Sequence, residues 1–433
     1  MHIHGWGRYP DVDAEISMPS SRTEVREILG RTGSVIPRGK GRSYGDSSLA
    51  PHVIGTNRLD LLLDFDQVNG QVRCSAGVTL ADLLDVFVPR GWFLPVTPGT
   101  KFVTVGGAIA SDVHGKNHHL DGCFSKYVQK FDLLLADGQT VSCSKNQHSD
   151  LFHSTCGGMG LTGIILEATI RLKPIQSAFI EQTTFKAENL EQVLSLFEAH
   201  HRSTYSVAWI DCLASGSALG RSLLMVGEHA RNGALLVPAK RPIAVPFDMP
   251  SALLNQFSVR AFNTLYYHRV RSAQKTQRVH YEPYFYPLDG IFHWNRLYGK
   301  NGFTQYQFVI PKKAGLAGMS AILKRISASH RGSFLAVLKV FGQENANLLS
   351  FPMEGYTLAL DFKLEDGLFN LLDELDAMVL DYGGRLYLTK DVRMSAATFK
   401  RSYPDWEAFQ AIREQYGAKG KFVSHQSRRL ELD

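Results

Sequence analysis

Cysteine is scarce in this chain. The five residues Cys74, Cys123, Cys143, Cys156 and Cys212 are odd in number and include no C-x-x-C pair. That pattern excludes a paired disulfide framework and a short-spaced zinc site, and it predicts free thiols in a reducing compartment. Long apolar runs are also missing: nothing of membrane-spanning length occurs, and Met1-His2-Ile3-His4-Gly5-Trp6 carries no apolar signal core. The expectation is a cytoplasmic protein whose only contact with a membrane is peripheral, at its inner face. Runs of five or more Lys or Arg are absent despite a formal net charge of +6, so nucleic acid is not an expected partner. The mild basic excess suits anionic ligands or an anionic membrane face. Repeats and low-complexity tracts are absent as well.

What is present describes an ordinary globular chain. Its 433 residues are 44% apolar and 20% charged, enough for two or three domains with ample cores. The most unusual stretch runs from Pro98 to His119. Its middle, Val105-Gly106-Gly107-Ala108-Ile109-Ala110, is nearly bare of side chains, and it ends in His114, Lys116, Asn117, His118 and His119. A backbone floor with protonatable groups at its rim suits a flat, phosphate-bearing cofactor. A buried turn of small residues explains the floor equally well.

Local signals place elements along the chain. Ser21 with Glu24 predicts a capped helix ending near Gly33, and Thr79 to Arg90 a second, stopped by Gly91. Between them, Pro37-Arg38-Gly39-Lys40-Gly41-Arg42-Ser43-Tyr44-Gly45-Asp46 alternates glycine with cations, as an anion-cradling loop does, without the spacing of a Walker loop. Leu61–Leu63 reads as a strand, and Leu133–Val141 as a hairpin turning on Asp137-Gly138. Gly158-Met159-Gly160-Leu161-Thr162-Gly163 is a literal G-x-G-x-x-G. The alternation of Ile164 to Lys173 predicts a strand after it, so a Rossmann site, which needs a helix there, is excluded. Lys173-Pro174 marks a domain boundary.

Beyond it, Asn189 caps a helix carrying Leu190, Val193, Leu194 and Phe197, and further helices are predicted over 316–327, 368–381 and from Pro404 to Tyr416. Strand patterns at 205–211, 305–310, 334–341, 356–362 and 385–388 predict an antiparallel sheet covered on one side, an α+β arrangement. Gln305 and Gln307 share one strand face, Thr357, Ala359 and Asp361 share another, and Lys339 and Lys390 interrupt apolar runs. Lysines are rarely buried alone, so this sheet face is expected to border a polar cavity. The stretch from Lys240 to Arg271, rich in Pro, aromatic and Arg residues including Pro242, Phe257 and Tyr266, reads as a long packed loop. A mobile cover or a surface for lipid tails are the alternatives.

With these pieces assembled, the chain resembles the FAD-linked oxidoreductases of the vanillyl-alcohol-oxidase type, and within them those that oxidise a polyprenyl-phosphate-linked ribose. The matching segments span nearly the full length: Gly5–Arg8, Arg38–Asp46, Pro98–Thr100, Val103–Ala110, His114–His119, Gly160–Ile165, Pro287–Asp289, Trp294–Arg296, Gln305–Gln307, Lys339–Gly342, Thr389–Asp391 and Ser427–Leu430. The resemblance implies an FAD-binding domain formed by residues 1–175 and 393–433, with a substrate domain of residues 176–392 inserted. It implies FAD held by Arg38, Gly39, Lys40, Gly41, Arg42, Ser43 and Tyr44, and by Pro98, Gly99, Thr100, Thr104, Gly106, Gly107, Ala110, Ser111, Val113, His114 and His119. Gly160, Gly163, Ile164, Tyr387 and Lys390 complete that set. Relatives that attach FAD covalently use a His in the first loop, where this chain has Arg42, so non-covalent FAD is expected.

By the same resemblance Lys116, Gln305, Gln307, Lys339, Thr357 and Ala359 line the substrate site, although Thr357 and Ala359 stand where close family members have Asn and Cys. The implied reaction removes hydride from the carbon bearing the ribose 2′-hydroxyl, the first half of an epimerisation to the arabinose form used in cell-wall biosynthesis. Lys390 is the first candidate for the proton acceptor, since a lysine in a dry pocket loses its charge more readily; His114 is the second, and Tyr44 stands beside them. Lys116 and Lys339 are expected to hold the substrate phosphate or polarise its hydroxyl. A quinone or similar acceptor and a separate NAD(P)-dependent ketoreductase are the implied partners. The same flavin site would also serve another sugar, sugar alcohol or aldonolactone. Two further readings differ in class: a metal protein using His114 and His118, which lacks an evident third ligand, and a non-catalytic lipid carrier, which the intact glycine floor disfavours.

Overall fold

Side-chain caps fix where the helices begin. In the computed structural model, which describes residues 1–236, 243–250 and 253–433, the Ser21 hydroxyl accepts from the Glu24 amide and helix Arg22–Arg31 follows. Thr79 and Asp82 exchange side-chain and backbone bonds at the start of helix Leu80–Phe87, and Asn189 opens Leu190–Ala199. The Asp137-Gly138 turn joins antiparallel strands Val128–Leu134 and Thr140–Cys143, with Gly138 at φ 85°.

Strands Glu15–Ser17, His52–Gly55 and Ile36–Arg38 form a small parallel sheet in that spatial order. The hairpin extends into a five-stranded antiparallel sheet through Ile164–Arg171, Gln71–Ser75 and Leu62–Asp66. An eight-stranded antiparallel sheet follows, in the order Gln274–His280, Phe179–Ala187, Ser222–His229, Tyr205–Ile210, Ala336–Phe341, Gly355–Lys363, Phe303–Pro311, Arg385–Leu386. The mixture is α+β, with the antiparallel sheet as its largest element.

Alternation gives the large sheet two unlike faces. Tyr306, Phe308, Leu338, Leu358 and Leu360 join a core with helices Leu190–Ala199, Gly315–Ala328 and Leu368–Asp381. Their strand neighbours Gln305, Gln307, Val337, Lys339, Ala359 and Asp361 border a cavity on the other side. The last residues return to the first: Val35 pairs with Phe422, the His425 amide donates to the Leu49 carbonyl, and Arg413, fully buried, donates to the carbonyls of Leu161, Phe422 and Leu432.

Several elements differ from the sequence reading. The glycine-rich Val105–Ala110, for which no element was assigned, is one turn and a half of helix, N-capped by Thr104. Strands Phe179–Ala187, Ser222–His229 and Gln274–His280 were not anticipated. Gln256–His268 is a helix rather than loop; Asn255 caps it, and Val259, Asn263 and Tyr267 face inward. Lys240 and Pro242 of that expected loop lie outside the described residues.

Candidate active site

A cavity of about 680 Å³ lies between the loops of the first half and the polar face of the large sheet. Six cations border it, Arg38, Lys40, Arg42, Lys116, Lys339 and Lys390, against the two carboxylates of Asp289 and Asp361. Such an excess favours anionic ligands. Strand Ile36–Arg38 delivers the cationic loop to one wall. The amides of Gly39, Lys40, Gly41, Arg42 and Ser43 make no hydrogen bond among the described residues, leaving five consecutive donors at the cavity wall. Backbone amides in such a row bind phosphate oxygens well. Gly41 sits at φ 62°, and a Cβ there would meet the Arg38 guanidinium at 2.2 Å. Arg38 is tied to the His4 carbonyl at 2.7 Å and the Ser48 hydroxyl at 3.1 Å, while Arg42 lies 4.1 Å over the Trp6 ring. A second wall is the Val105–Ala110 helix: a Cβ on Gly39 would approach the Thr104 hydroxyl to 2.3 Å, so the loop backbone packs directly on the capping side chain of the helix.

Toward the sheet, His114 is buried among Phe341, Phe351 and Tyr387. Its Nε2 is 3.2 Å from Gln307 Nε2, which donates to it, and Nδ1 has no partner among the described residues. Burial, then Lys339, His118 and Lys390, hold its pKa well below the usual histidine value. A neutral imidazole whose acceptor nitrogen is engaged is a poor proton acceptor. Lys390 is different: its side-chain amine forms no hydrogen bond among the described residues and lies 3.9 Å over the Tyr44 ring. Burial pushes its pKa down to about 7, with Asp361 opposing and Lys339 adding to the shift. Burial likewise brings Lys339 to about 8, and with Lys339 brings Lys116 to about 7. Lys116 donates to the Tyr284 carbonyl and lies 4.4 Å over that ring. Burial raises the Tyr44 hydroxyl well above its usual value, so it stays a donor.

The cavity gathers most of the residues singled out in the sequence, and three stand back from it. Thr357 is fully buried behind Gln307, from which it accepts at 3.3 Å, and its hydroxyl donates to the Phe308 carbonyl. Ile164 points into a core with Val35, Leu134 and Phe422, leaving Ile165 to line the cavity. The His119 ring is 2.9 Å from the Ser203 carbonyl. Sequence reasoning missed Asp289 and Trp6 as wall residues, whereas Asp361 borders the cavity as the polar strand face predicted. One signal was there: Asp289 ends the Pro287–Asp289 segment. The lining residues include no cysteine, and Ala359 is among them. Rings of His114 and His118 are 6.5 Å apart, and no group of three metal-ligating side chains occurs among the described residues.

Comparison with known proteins agrees with this geometry. The profile of the FAD binding domain family matches residues 16–144, which include the cationic loop and the Thr104-capped helix. Decaprenylphosphoryl-beta-D-ribose oxidase of Mycolicibacterium smegmatis is 37% identical over 99% of this chain and 97% of its own length. The chain belongs to the decaprenylphosphoryl-β-D-ribose oxidase family. Another protein similar to this member of the oxidase family, an uncharacterised one from Streptomyces coelicolor, is 32% identical over 82% of this chain and its own full length. Similarity to the L-gulonolactone oxidase of Bos taurus, 30% identical, covers only 42% of each chain. As a member of the decaprenylphosphoryl-β-D-ribose oxidase family, the chain is an FAD-dependent oxidoreductase. The free amide row, the cation excess and the side-chain-poor wall fit that cofactor.

Proposed function

We propose that this enzyme oxidises the 2′-hydroxyl of a polyprenylphosphoryl-ribose to the 2′-keto sugar. The observation that carries the reading is the uncommitted Lys390 amine in a cation-rich cavity, within a chain alike end to end to an oxidase of such a substrate. Bound FAD supplies the hydride acceptor. The amides of 39–43, with Arg38 and Arg42, are suited to its diphosphate, and residues 1–175 with 393–433 form the unit that carries it, around a substrate unit of 176–392. Arg42 in the first loop and the cysteine-free lining support non-covalent attachment.

On the substrate side, Lys116 and Lys339 are suited to the sugar phosphate. Gln305, Gln307 and Tyr44 offer hydrogen bonds that orient the ribose. The neutral Lys390 amine takes the hydroxyl proton while hydride leaves the same carbon, and becomes ammonium as the ketone forms. A quinone reoxidises the flavin, and a separate NAD(P)-dependent reductase returns the ketone to the arabinose form.

Access to a lipid-borne substrate is supported at the cavity edge. Phe262 and Tyr266 of helix Gln256–His268 border the cavity, while Phe257 and Leu265 on its outer side are 75% and 74% exposed, beside the exposed Arg260, Arg269 and Arg271. No helix among the described residues is long and apolar enough to cross a membrane. An apolar helix face rimmed by arginines is suited to peripheral contact with anionic lipid.

The test is spectroscopic. Acid precipitation of the purified protein should release a flavin spectrum into the supernatant. Anaerobic addition of polyprenylphosphoryl-ribose should then bleach the flavin, with free sugars and aldonolactones inert. Bleaching by a lactone but not by the lipid-linked ribose would replace this reading with oxidation of another sugar derivative.

A further inference from the structure

Asp112 is fully buried, two residues before His114, just past the end of helix Val105–Ala110. Its backbone is left-handed, with φ 38°, and both of its carboxyl oxygens accept hydrogen bonds. Oδ1 accepts from the Ser125 backbone amide at 3.1 Å. Oδ2 accepts from the side-chain amides of Asn345 and Asn347, each at 2.8 Å, and from the Ser350 hydroxyl at 2.7 Å. All four donors are uncharged, and three of them come from segment 342–354, which joins strands Ala336–Phe341 and Gly355–Lys363 of the large sheet. A buried acceptor met by donors from separate segments specifies one arrangement of those segments. The same stretch reaches the His114 region by two other routes. Phe351 lies 5.6 Å from the His114 ring and stacks on Tyr387 at 4.5 Å, and the Gly342 amide donates to His118 Nδ1 at 3.2 Å. From the other direction the Tyr387 hydroxyl donates to the Ser111 carbonyl at 3.1 Å.

We propose that Asp112 is the positioning residue that sets the two walls of the cavity against each other: it holds segment 345–350 to the end of the Val105–Ala110 helix and so fixes His114 in contact with Gln307. This inference rests on the proposed function, in which FAD lies along the helix wall and the ribose against the sheet. In that reaction the hydroxyl proton passes to the Lys390 nitrogen, the C–H bond breaks with its electron pair leaving as hydride to the FAD, and the carbon–oxygen bond becomes a carbonyl. The rate therefore depends on how closely the sugar carbon approaches the cofactor, and a misplacement of about 1 Å costs about a hundredfold. Asp112 itself does not line the cavity. It acts through the backbone that follows it, which is pinned on both sides: the Val113 amide donates to the Ala108 carbonyl at 3.0 Å, and the Phe124 amide donates to the Val113 carbonyl at 2.9 Å. Val113 and His114, carried on that backbone, do line the cavity.

Asp112→Asn isolates the side-chain effect. Asparagine tolerates the left-handed backbone, yet its amide turns a donor toward groups that are themselves donors. In holoenzyme carrying histidine labelled with nitrogen-15 in the ring, the His114 signal is the one lost in His114→Gln. In Asp112→Asn the His114 Nε2 resonance should leave its wild-type position and move toward that of an acceptor nitrogen without a donor. Anaerobic stopped-flow reduction by polyprenylphosphoryl-ribose gives a limiting rate constant per bound flavin. That constant should fall about tenfold to a hundredfold, with the half-saturating substrate concentration changed less than about threefold. A role in stability alone would lower the melting temperature and leave the constant unchanged, because it does not depend on how much of the protein is folded. Asn347→Ala and Ser350→Ala each remove one donor and leave three; they should move both readouts the same way by smaller factors, and they decide the matter if Asp112→Asn does not fold. An unmoved His114 resonance, or an unchanged rate constant beside a moved resonance, overturns the proposal. The resonance is read without substrate, so failure of wild-type enzyme to be reduced by polyprenylphosphoryl-ribose would sink the proposed function and still leave the hold of Asp112 on His114 decided.

Discussion

Arg429 is the residue whose loss should be felt furthest from its own position. Its Nη2 and Nε meet the two oxygens of Asp46 at 2.8 and 3.1 Å, Nη1 lies 2.8 Å from Asp391 Oδ2, and Nη1 also donates to the Met394 carbonyl at 2.6 Å. Asp46 ends the cationic loop, and Asp391 follows Lys390, so one guanidinium holds both sides of the site. Both carboxylates are buried. Arg429→Met would keep much of the side-chain volume and strand two buried charges, and breaking a buried pair in this way costs about 3–5 kcal/mol. For a chain of this size the thermal midpoint should fall by roughly 3–6 °C. The loss also depends on pH. Burial already raises the Asp46 carboxyl against the pull of Arg429, and without the arginine it rises further. The folded variant then holds a proton that the unfolded chain has lost, so its stability declines as pH climbs from about 4 toward 7. Circular-dichroism melts of wild type and variant between pH 5 and 8 measure this directly. A destabilisation under about 1 kcal/mol, or a deficit that does not grow with pH, would refute the account of Arg429 as a buried clamp.

Three further outcomes are expected. Lys390→Met should lower kcat/KM by about 10²–10⁴-fold with FAD content unchanged, and should abolish the rise in rate that wild type shows as pH passes about 7, because that rise reports conversion of the ammonium to the amine; steady-state profiles from pH 5.5 to 9 check it. Gly39→Ala places a methyl 2.3 Å from the Thr104 hydroxyl, which must abandon its cap on the Gly107 amide, costing about 1 kcal/mol and the close fit of loop to helix. The flavin-to-protein absorbance ratio after gel filtration should drop. Phe257→Ser combined with Leu265→Ser should reduce flotation with anionic vesicles severalfold while leaving the melting temperature within about 2 °C, since both side chains face outward.

Legibility in the sequence followed the range of the physics involved. Caps at Ser21, Thr79 and Asn189 and the Asp137-Gly138 turn act within four residues, and reading them needs nothing else. The unlike faces of the large sheet were also visible, because Lys339 between Leu338 and Val340, or Gln307 between Tyr306 and Phe308, makes an alternation of period two. Strand Gln274–His280 was not visible: it is an edge strand, exposed over most of its length, and its polar sequence carries no alternation. Helix Gln256–His268 was hidden for the opposite reason, since apolar residues on both its faces blur the helical period. Register was beyond reach, so Thr357 read as a wall residue when its hydroxyl is spent on the Phe308 carbonyl, and the Asp361–Gln305 pairing could be seen only in three dimensions.

The Arg429 clamp also dictates an order of events during biosynthesis. Asp46 leaves the ribosome some 380 residues ahead of its partner, and Val35 waits about as long for Phe422. At the usual pace of synthesis, roughly 5–20 residues per second, the cationic loop spends about twenty seconds or more without the segment that holds it. The nascent chain therefore emerges as a cradle with one side unfastened, and, on the proposed role of that loop, FAD capture is expected to follow completion of the chain. A stalled or shortened product lacking residues 422–433 should be made, and should collapse in part, yet remain colourless.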